Sequence, residues 1–276
     1  MKFAICNELY EQRPFEEICR SVAEIGYTGL EIAPFTLAPL ITDVDAERRA
    51  LLKRQASDAG VEIIGLHWLF AKTTGFHLNS TDEAVRVKSA DYLRALADAA
   101  ADLGGSILVL GSPDARRIPE GTSNDEALKL AADTLSRACG TLADRGVTLC
   151  IEPLAPTETD FLQTADEGAR LMKMVDHPNV QLHLDVKAMS SETPSIPEIV
   201  ATHLGHTGHF HANDANLRGP GMGETDFRPI FQALLEHHYD KWVSVEVFDF
   251  KPDPETIARE SLAYMKQCLA DIGAAT

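Results

Sequence analysis

Residues 182–189 read LHLDVKAM, with Leu182, Leu184 and Val186 alternating with His183, Asp185 and Lys187. A period of two predicts a buried strand, and it sets His183 and Asp185 on one face. A carboxylate inside a core is costly unless it is paired or bound to a metal. The partner of Asp185 is therefore the first thing to find.

The same grammar recurs on both sides. Runs rich in apolar and β-branched residues occur at 2–6 (KFAIC), 29–33 (GLEIA), 61–68 (VEIIGLHW), 106–111 (SILVLG), 147–152 (VTLCIE), 180–186 (VQLHLDV), 209–213 (HFHAN) and 242–248 (WVSVEVF). Helical patterns separate them, at 14–26, 45–60, 82–104, 124–146, 164–175, 195–205 and 227–238, with a last one at 252–273. Thr164 and Asp166 give the fifth a polar entry, and Gly26, Gly60, Gly104 and Gly146 close the first four. Eight βα units in series, over 276 residues, predict a single (βα)8 TIM barrel spanning 1–276. A doubly wound sheet would more often show a Gly-rich first turn, and the turn after Asn7 has no glycine. The loops with the most turn chemistry all follow predicted strands, which is the face where TIM barrels build their sites.

On that frame Glu152, Asp185, His211 and Glu246 end strands five, six, seven and eight. Three carboxylates gathered at one mouth raise one another's pKa unless a cation neutralises them. One divalent ion per chain does so, and a set of three oxygen donors and one nitrogen suits six-coordinate Mn²⁺ first, or Mg²⁺ or Co²⁺, better than tetrahedral zinc. His183 and His209 lie two residues before Asp185 and His211, one layer deeper, and read as hydrogen-bonded core histidines.

Composition narrows the functional classes. The formal charge of −17 opposes a nucleic-acid partner, and no basic patch relieves it. Five cysteines, widely spaced and without a CxxC pair, argue against a disulfide framework and fit a reducing cytoplasm. No stretch reaches transmembrane length, and the first residues are too short an apolar run for a signal peptide.

With CIEPLAPTETDF, LHLDVKAM, HFHANDANLRGPGMG and SVEVFDF in hand, the chain resembles the xylose isomerase-like TIM-barrel superfamily of sugar isomerases and epimerases. Within it the D-tagatose/D-psicose 3-epimerase and hydroxypyruvate isomerase branches are the most similar. The resemblance implies that Glu152 and Glu246 both bind the metal and exchange protons on opposite faces of a small-molecule sugar. It also implies substrate contacts by Glu158 and Arg218, and a homodimer or homotetramer. Two departures stand out: the family's His three residues after the strand-six Asp is Ala188 here, and its Asn-Arg pair before the second Glu is Ala155 and Pro156. Lys187 is the candidate to replace that His, since strand parity aims it into the mouth. His67 and Trp68, ending strand three, offer an indole face to a sugar ring across the barrel.

Proton removal beside a carbonyl gives a metal-stabilised cis-enediolate, whose fate is epimerisation, aldose–ketose isomerisation or loss of a β-leaving group. The residues leave a lyase or dehydratase of 3-keto sugars or inosose open beside the epimerase and isomerase. A non-catalytic sugar-binding subunit is a third reading. An apurinic endonuclease-like phosphodiesterase would need histidines where Ala188 and LVLGSPD stand.

Overall fold

The computed structural model describes residues 1–11 and 13–274. Eight parallel strands, β1 (Lys2–Cys6), β2 (Gly29–Ile32), β3 (Glu62–Leu66), β4 (Ile107–Leu110), β5 (Thr148–Ile151), β6 (Val180–Asp185), β7 (Thr207–Ala212) and β8 (Trp242–Val245), close in sequence order. β8 returns to pair with β1, so the expected TIM barrel is complete and no sheet edge is left open.

The helices α1 (Phe15–Ile25), α2 (Ala46–Asp58), α3 (Glu83–Leu103), α4 (Asn124–Ser136), α5 (Cys139–Arg145), α6 (Ala165–Val175), α7 (Val186–Met189), α8 (Ile196–His203), α9 (Phe227–Glu236) and α10 (Pro254–Asp271) connect them. Their apolar faces cover the barrel: α1, for example, buries Phe15, Ile18, Cys19 and Val22 and keeps Glu16, Glu17 and Arg20 outside. The expected caps form. Thr164 accepts the Glu167 N–H, and Gly26 and Gly104 end their helices at φ of 108° and 98°.

Two elements differ from the pattern reading. The helix expected over 124–146 breaks into α4 and α5. There the hydroxyls of Thr134 and Ser136 bond back to the carbonyls of Leu130 and Ala132, a contact that bends helices. The second difference is the one-turn helix α7, which starts where β6 ends because the Asp185 side chain caps the Ala188 N–H. No described helix is long and apolar enough to cross a membrane.

Candidate active site

Register places the polar residues. Asp185 pairs with His211 across β6 and β7, and His183 pairs with His209 one step deeper. Glu152 and Glu246 each follow the last residue of β5 and β8, so both carboxylates stand at the C-terminal rim of the barrel. All four residues named from sequence are buried. One donor atom from each of Glu152, Asp185, His211 and His183 lies within 4.8 Å of the others. Glu246 joins them through His211, whose Nδ1 is 3.2 Å from Glu246 Oε2.

The electrostatics of this group are those of a site short of positive charge. Burial, then the neighbouring Glu246 and Asp185, push the Glu152 carboxyl well above the usual range. Burial also raises Asp185. Burial opposes charge on Glu246 too, but His211 and His67 outweigh it and hold that carboxyl well below the usual range. Glu152 lies so close to Gly111, the residue after β4, that an added Cβ there would fall 1.6 Å from its Oε2. The carboxylate occupies the space a side chain would need.

Several residues hold these groups in place. Asp185 Oδ1 caps α7 and its Oδ2 accepts the Asn213 amide at 2.5 Å. Glu31, fully buried on β2, takes His211 Nε2 at 3.2 Å and His209 Nε2 at 2.9 Å. With Glu31 on Nε2, the nitrogen of His211 that a metal would take is Nδ1, in place of its contact with Glu246. Arg116, also fully buried, donates from Nη1 to the Glu152 carbonyl at 2.6 Å and anchors the end of β5. Glu31 was legible as the one polar residue inside GLEI, whereas Arg116 sits in a loop with no periodicity to mark it.

His209 is the hydrogen-bonded core histidine expected of it, but His183 is not. Both its ring nitrogens lack a hydrogen-bond partner, and Nε2 lies 3.8 Å from Glu152 Oε1. β6 shifts register between Leu182 and His183, and the ring stands edge-on to His211 at 4.2 Å, beside the carboxylates.

A cavity of about 400 Å³ opens above Glu152 and Glu246, and Glu158, Lys187 and Trp68 line it. Lys187 reaches it from α7, because the strand has ended at Asp185. Its Nζ is 2.8 Å from Glu158 Oε1 and 3.9 Å from the Phe248 ring centroid. Trp68 takes a left-handed φ of 51°, uncommon for an aromatic residue, and donates its indole N–H to Glu246 Oε1 at 2.7 Å. Its ring stacks on Phe248 with centroids 5.7 Å apart and planes 21° apart. The Trp68 ring thus borders the cavity while its N–H steers a carboxylate, on the same side as Glu246 rather than across from it.

Two residues expected to touch substrate lie outside the cavity wall. His67 does not line the cavity: fully buried, it bridges Glu8 Oε2 at 2.8 Å and Glu246 Oε1 at 3.1 Å, because the residue after β3 points into the barrel. Arg218 does not reach the cavity wall either. Its loop closes on itself through the Asp214 N–H bond to the Arg218 carbonyl, and Nη2 donates to the Lys251 carbonyl at 3.2 Å.

A closed barrel with buried carboxylates and histidines at its C-terminal rim defines a class of enzyme-like site. Residues 19–268 match the family model described as xylose isomerase-like TIM barrel, and the chain belongs to that family. Among curated relatives, the D-psicose 3-epimerase of Ruminiclostridium cellulolyticum is 27% identical over 256 residues, covering 90% of this chain and 84% of its own. The 3-dehydro-D-guloside 4-epimerase of Escherichia coli is 24% identical, covering 97% and 100%. A crystal structure of D-psicose 3-epimerase with D-tagatose, from Clostridium cellulolyticum H10, superposes with a TM-score of 0.85 at 22% identity, covering 98% and 99%.

Proposed function

We propose that the protein is a divalent-metal-dependent sugar epimerase that inverts a carbon next to a carbonyl by removing one proton and returning another. The observation that carries this reading is the convergence of Glu152 and Glu246 on the floor of one cavity, with Asp185 and His211 packed directly behind them. Relatives that are themselves sugar epimerases support it. Glu152, Asp185, His211 and Glu246 would hold the ion, with His183 and its free ring nitrogens as a further donor. The oxygen-rich donor set favours Mn²⁺ first, then Mg²⁺ or Co²⁺. A bound dication polarises the substrate carbonyl and offsets the negative charge that grows as the adjacent C–H breaks.

The protein's own groups do the proton work. Glu152 lies in the space that Gly111 leaves open on the β4 side, and Trp68 and His67 hold Glu246 from the β3 side, so a sugar between them would present one face to each. One carboxylate takes the proton and the other delivers one to the opposite face of the same carbon. Delivery to the neighbouring carbon would make an isomerase. Lys187 and Glu158 supply a donor and an acceptor for substrate oxygens further up the wall. The water-poor floor strengthens every charge interaction there.

Metal removal tests this directly. Dialysis against a chelator should abolish epimer formation from ketoses and 3-keto sugars, and Mn²⁺ should restore it. Full activity after removal of all divalent metal would refute the reading. Gly111→Ala tests the placement of Glu152, since displacing a reacting group by about 1 Å costs on the order of a hundredfold in rate. The folded variant, checked by circular dichroism, should show such a loss, and a parental rate would mean that Glu152 need not lie where it does.

A further inference from the structure

Arg116 is the largest fully buried side chain among the described residues, and the proton chemistry makes no use of it. It lies on the loop after β4 and does not line the cavity, so it cannot touch a substrate there. Its Nη1 is shared by two carbonyls, Glu152 at 2.6 Å and Leu110 at 3.4 Å, and the Leu110 carbonyl also accepts the Glu152 N–H at 3.2 Å. One nitrogen thus ties the residue that follows β5 to the end of β4. The other two, Nε and Nη2, have no hydrogen-bond partner among the described residues.

A staple alone does not require a charge. Two backbone carbonyls can be held by a neutral amide, and a buried cation without a direct partner is expensive. Burial pulls the Arg116 pKa down to about 10, and the charges of Glu152 and then Glu158 oppose that fall. The group is therefore cationic at neutral pH, with those two carboxylates as its electrostatic partners. Glu158 suits the pairing, since its Oε1 is taken by Lys187 while its Oε2 has no partner among the described residues. The Arg116 backbone is itself fixed. The fully buried Asn79 donates to its carbonyl at 3.0 Å, and on either side the Leu78 N–H bonds the Ala115 carbonyl at 2.7 Å and Arg117 Nη2 bonds the Glu158 carbonyl at 3.0 Å.

Resting on the reading of Glu152 as a metal ligand and proton carrier, we propose that Arg116 is a positioning residue for Glu152. It fixes the carbonyl of that residue to β4 and sets a positive charge against the carboxylates of Glu152 and Glu158 from outside the cavity. Gly111 leaves the space for the Glu152 side chain, and Arg116 keeps the side chain in it. Loss of Arg116 therefore acts through Glu152 and leaves Glu246, which Trp68 and His67 hold, in place.

The test is a double-mutant cycle on metal affinity, read by electron paramagnetic resonance as the folded protein is titrated with Mn²⁺. Arg116→Gln should weaken Mn²⁺ binding about 10- to 100-fold, the loss usual for a group that orients a ligand. In the Glu152→Gln background the same substitution should cost almost nothing more, because the residue it acts through is already changed. Arg116→Lys, which keeps the charge without the planar fork, should recover part of the affinity, and no recovery would overturn the role of the charge. Parental affinity in Arg116→Gln, or an equal loss in both backgrounds, would overturn the proposal. If Arg116→Gln does not fold, Arg116→Lys replaces it in the cycle, and failure of both to fold would overturn the assignment in favour of a purely structural role. Proton exchange supplies a second readout. With Mn²⁺ saturating, Arg116→Gln should reproduce the deuterium wash-in pattern of Glu152→Gln, confined to one epimer, and an equal loss from both epimers would contradict the proposal. A parent protein that exchanges no proton with solvent defeats the epimerase reading, and the metal cycle still decides on Arg116.

Discussion

With metal bound, Glu152→Gln and Glu246→Gln are each expected to lose turnover by about a hundred- to ten-thousand-fold. That is the contribution of a positioned acid or base to a proton transfer. The amide keeps the size and one oxygen of the carboxylate but cannot carry the proton. Metal content must be measured in each variant first, because both residues are also candidate ligands. The two variants should then differ from each other. One retains deuterium wash-in from solvent into one epimer, and the other retains it into the opposite epimer, because each has kept the carboxylate on a different face. A one-base isomerase would leave one variant nearly as active as the parent, and a lyase would release a leaving group from the parent protein.

The second large effect falls on metal affinity. Loss of a group that merely orients a ligand costs about 10- to 100-fold in affinity, so loss of a ligand itself should cost more. Asp185→Ala should therefore lose metal by more than about a hundredfold. The residue has two structural duties as well, capping α7 and accepting Asn213. The loss of a cap costs about 1 kcal/mol, so thermal stability should fall modestly in the same variant. Asp185→Asn keeps an acceptor for the cap but sets an NH2 against the Asn213 amide, so it should recover part of the stability lost in Asp185→Ala while metal binding stays weak. Full metal content in Asp185→Ala would remove Asp185 from the ligand set.

Much of this architecture was open to a reading of the chain, for a physical reason. In a TIM barrel each strand is short, apolar and followed by a loop, so a charged residue at the end of such a run is confined to the rim of the barrel. Glu152, Asp185, His211 and Glu246 were placed at the rim that way, and the closed barrel was legible in the repetition of the pattern. What lay outside the pattern depended on side-chain direction and on loop geometry. Lys187 was expected in the mouth by strand parity and reaches it by another route, through the turn of helix that Asp185 caps. Arg218 sits in a loop closed by its own backbone bonds, a feature no periodicity encodes. His183 was misjudged because parity gives its depth but not the register shift at Leu182 and His183. Glu8, Glu31 and His67 form a group of buried carboxylate and imidazole, with side chains from β2 and from the residues that follow β1 and β3, which meet only when the barrel closes.

The most direct test of the central claim is the fate of one hydrogen. The Mn²⁺-loaded protein is incubated in D₂O with a panel of ketoses and 3-keto glycosides, and the recovered sugars are read by proton NMR and mass spectrometry. A single deuterium should enter at the carbon next to the carbonyl, in both epimers, and entry should stop when the metal is chelated. Interconversion of epimers without any deuterium at that carbon, or exchange undiminished by complete removal of metal, would contradict the account.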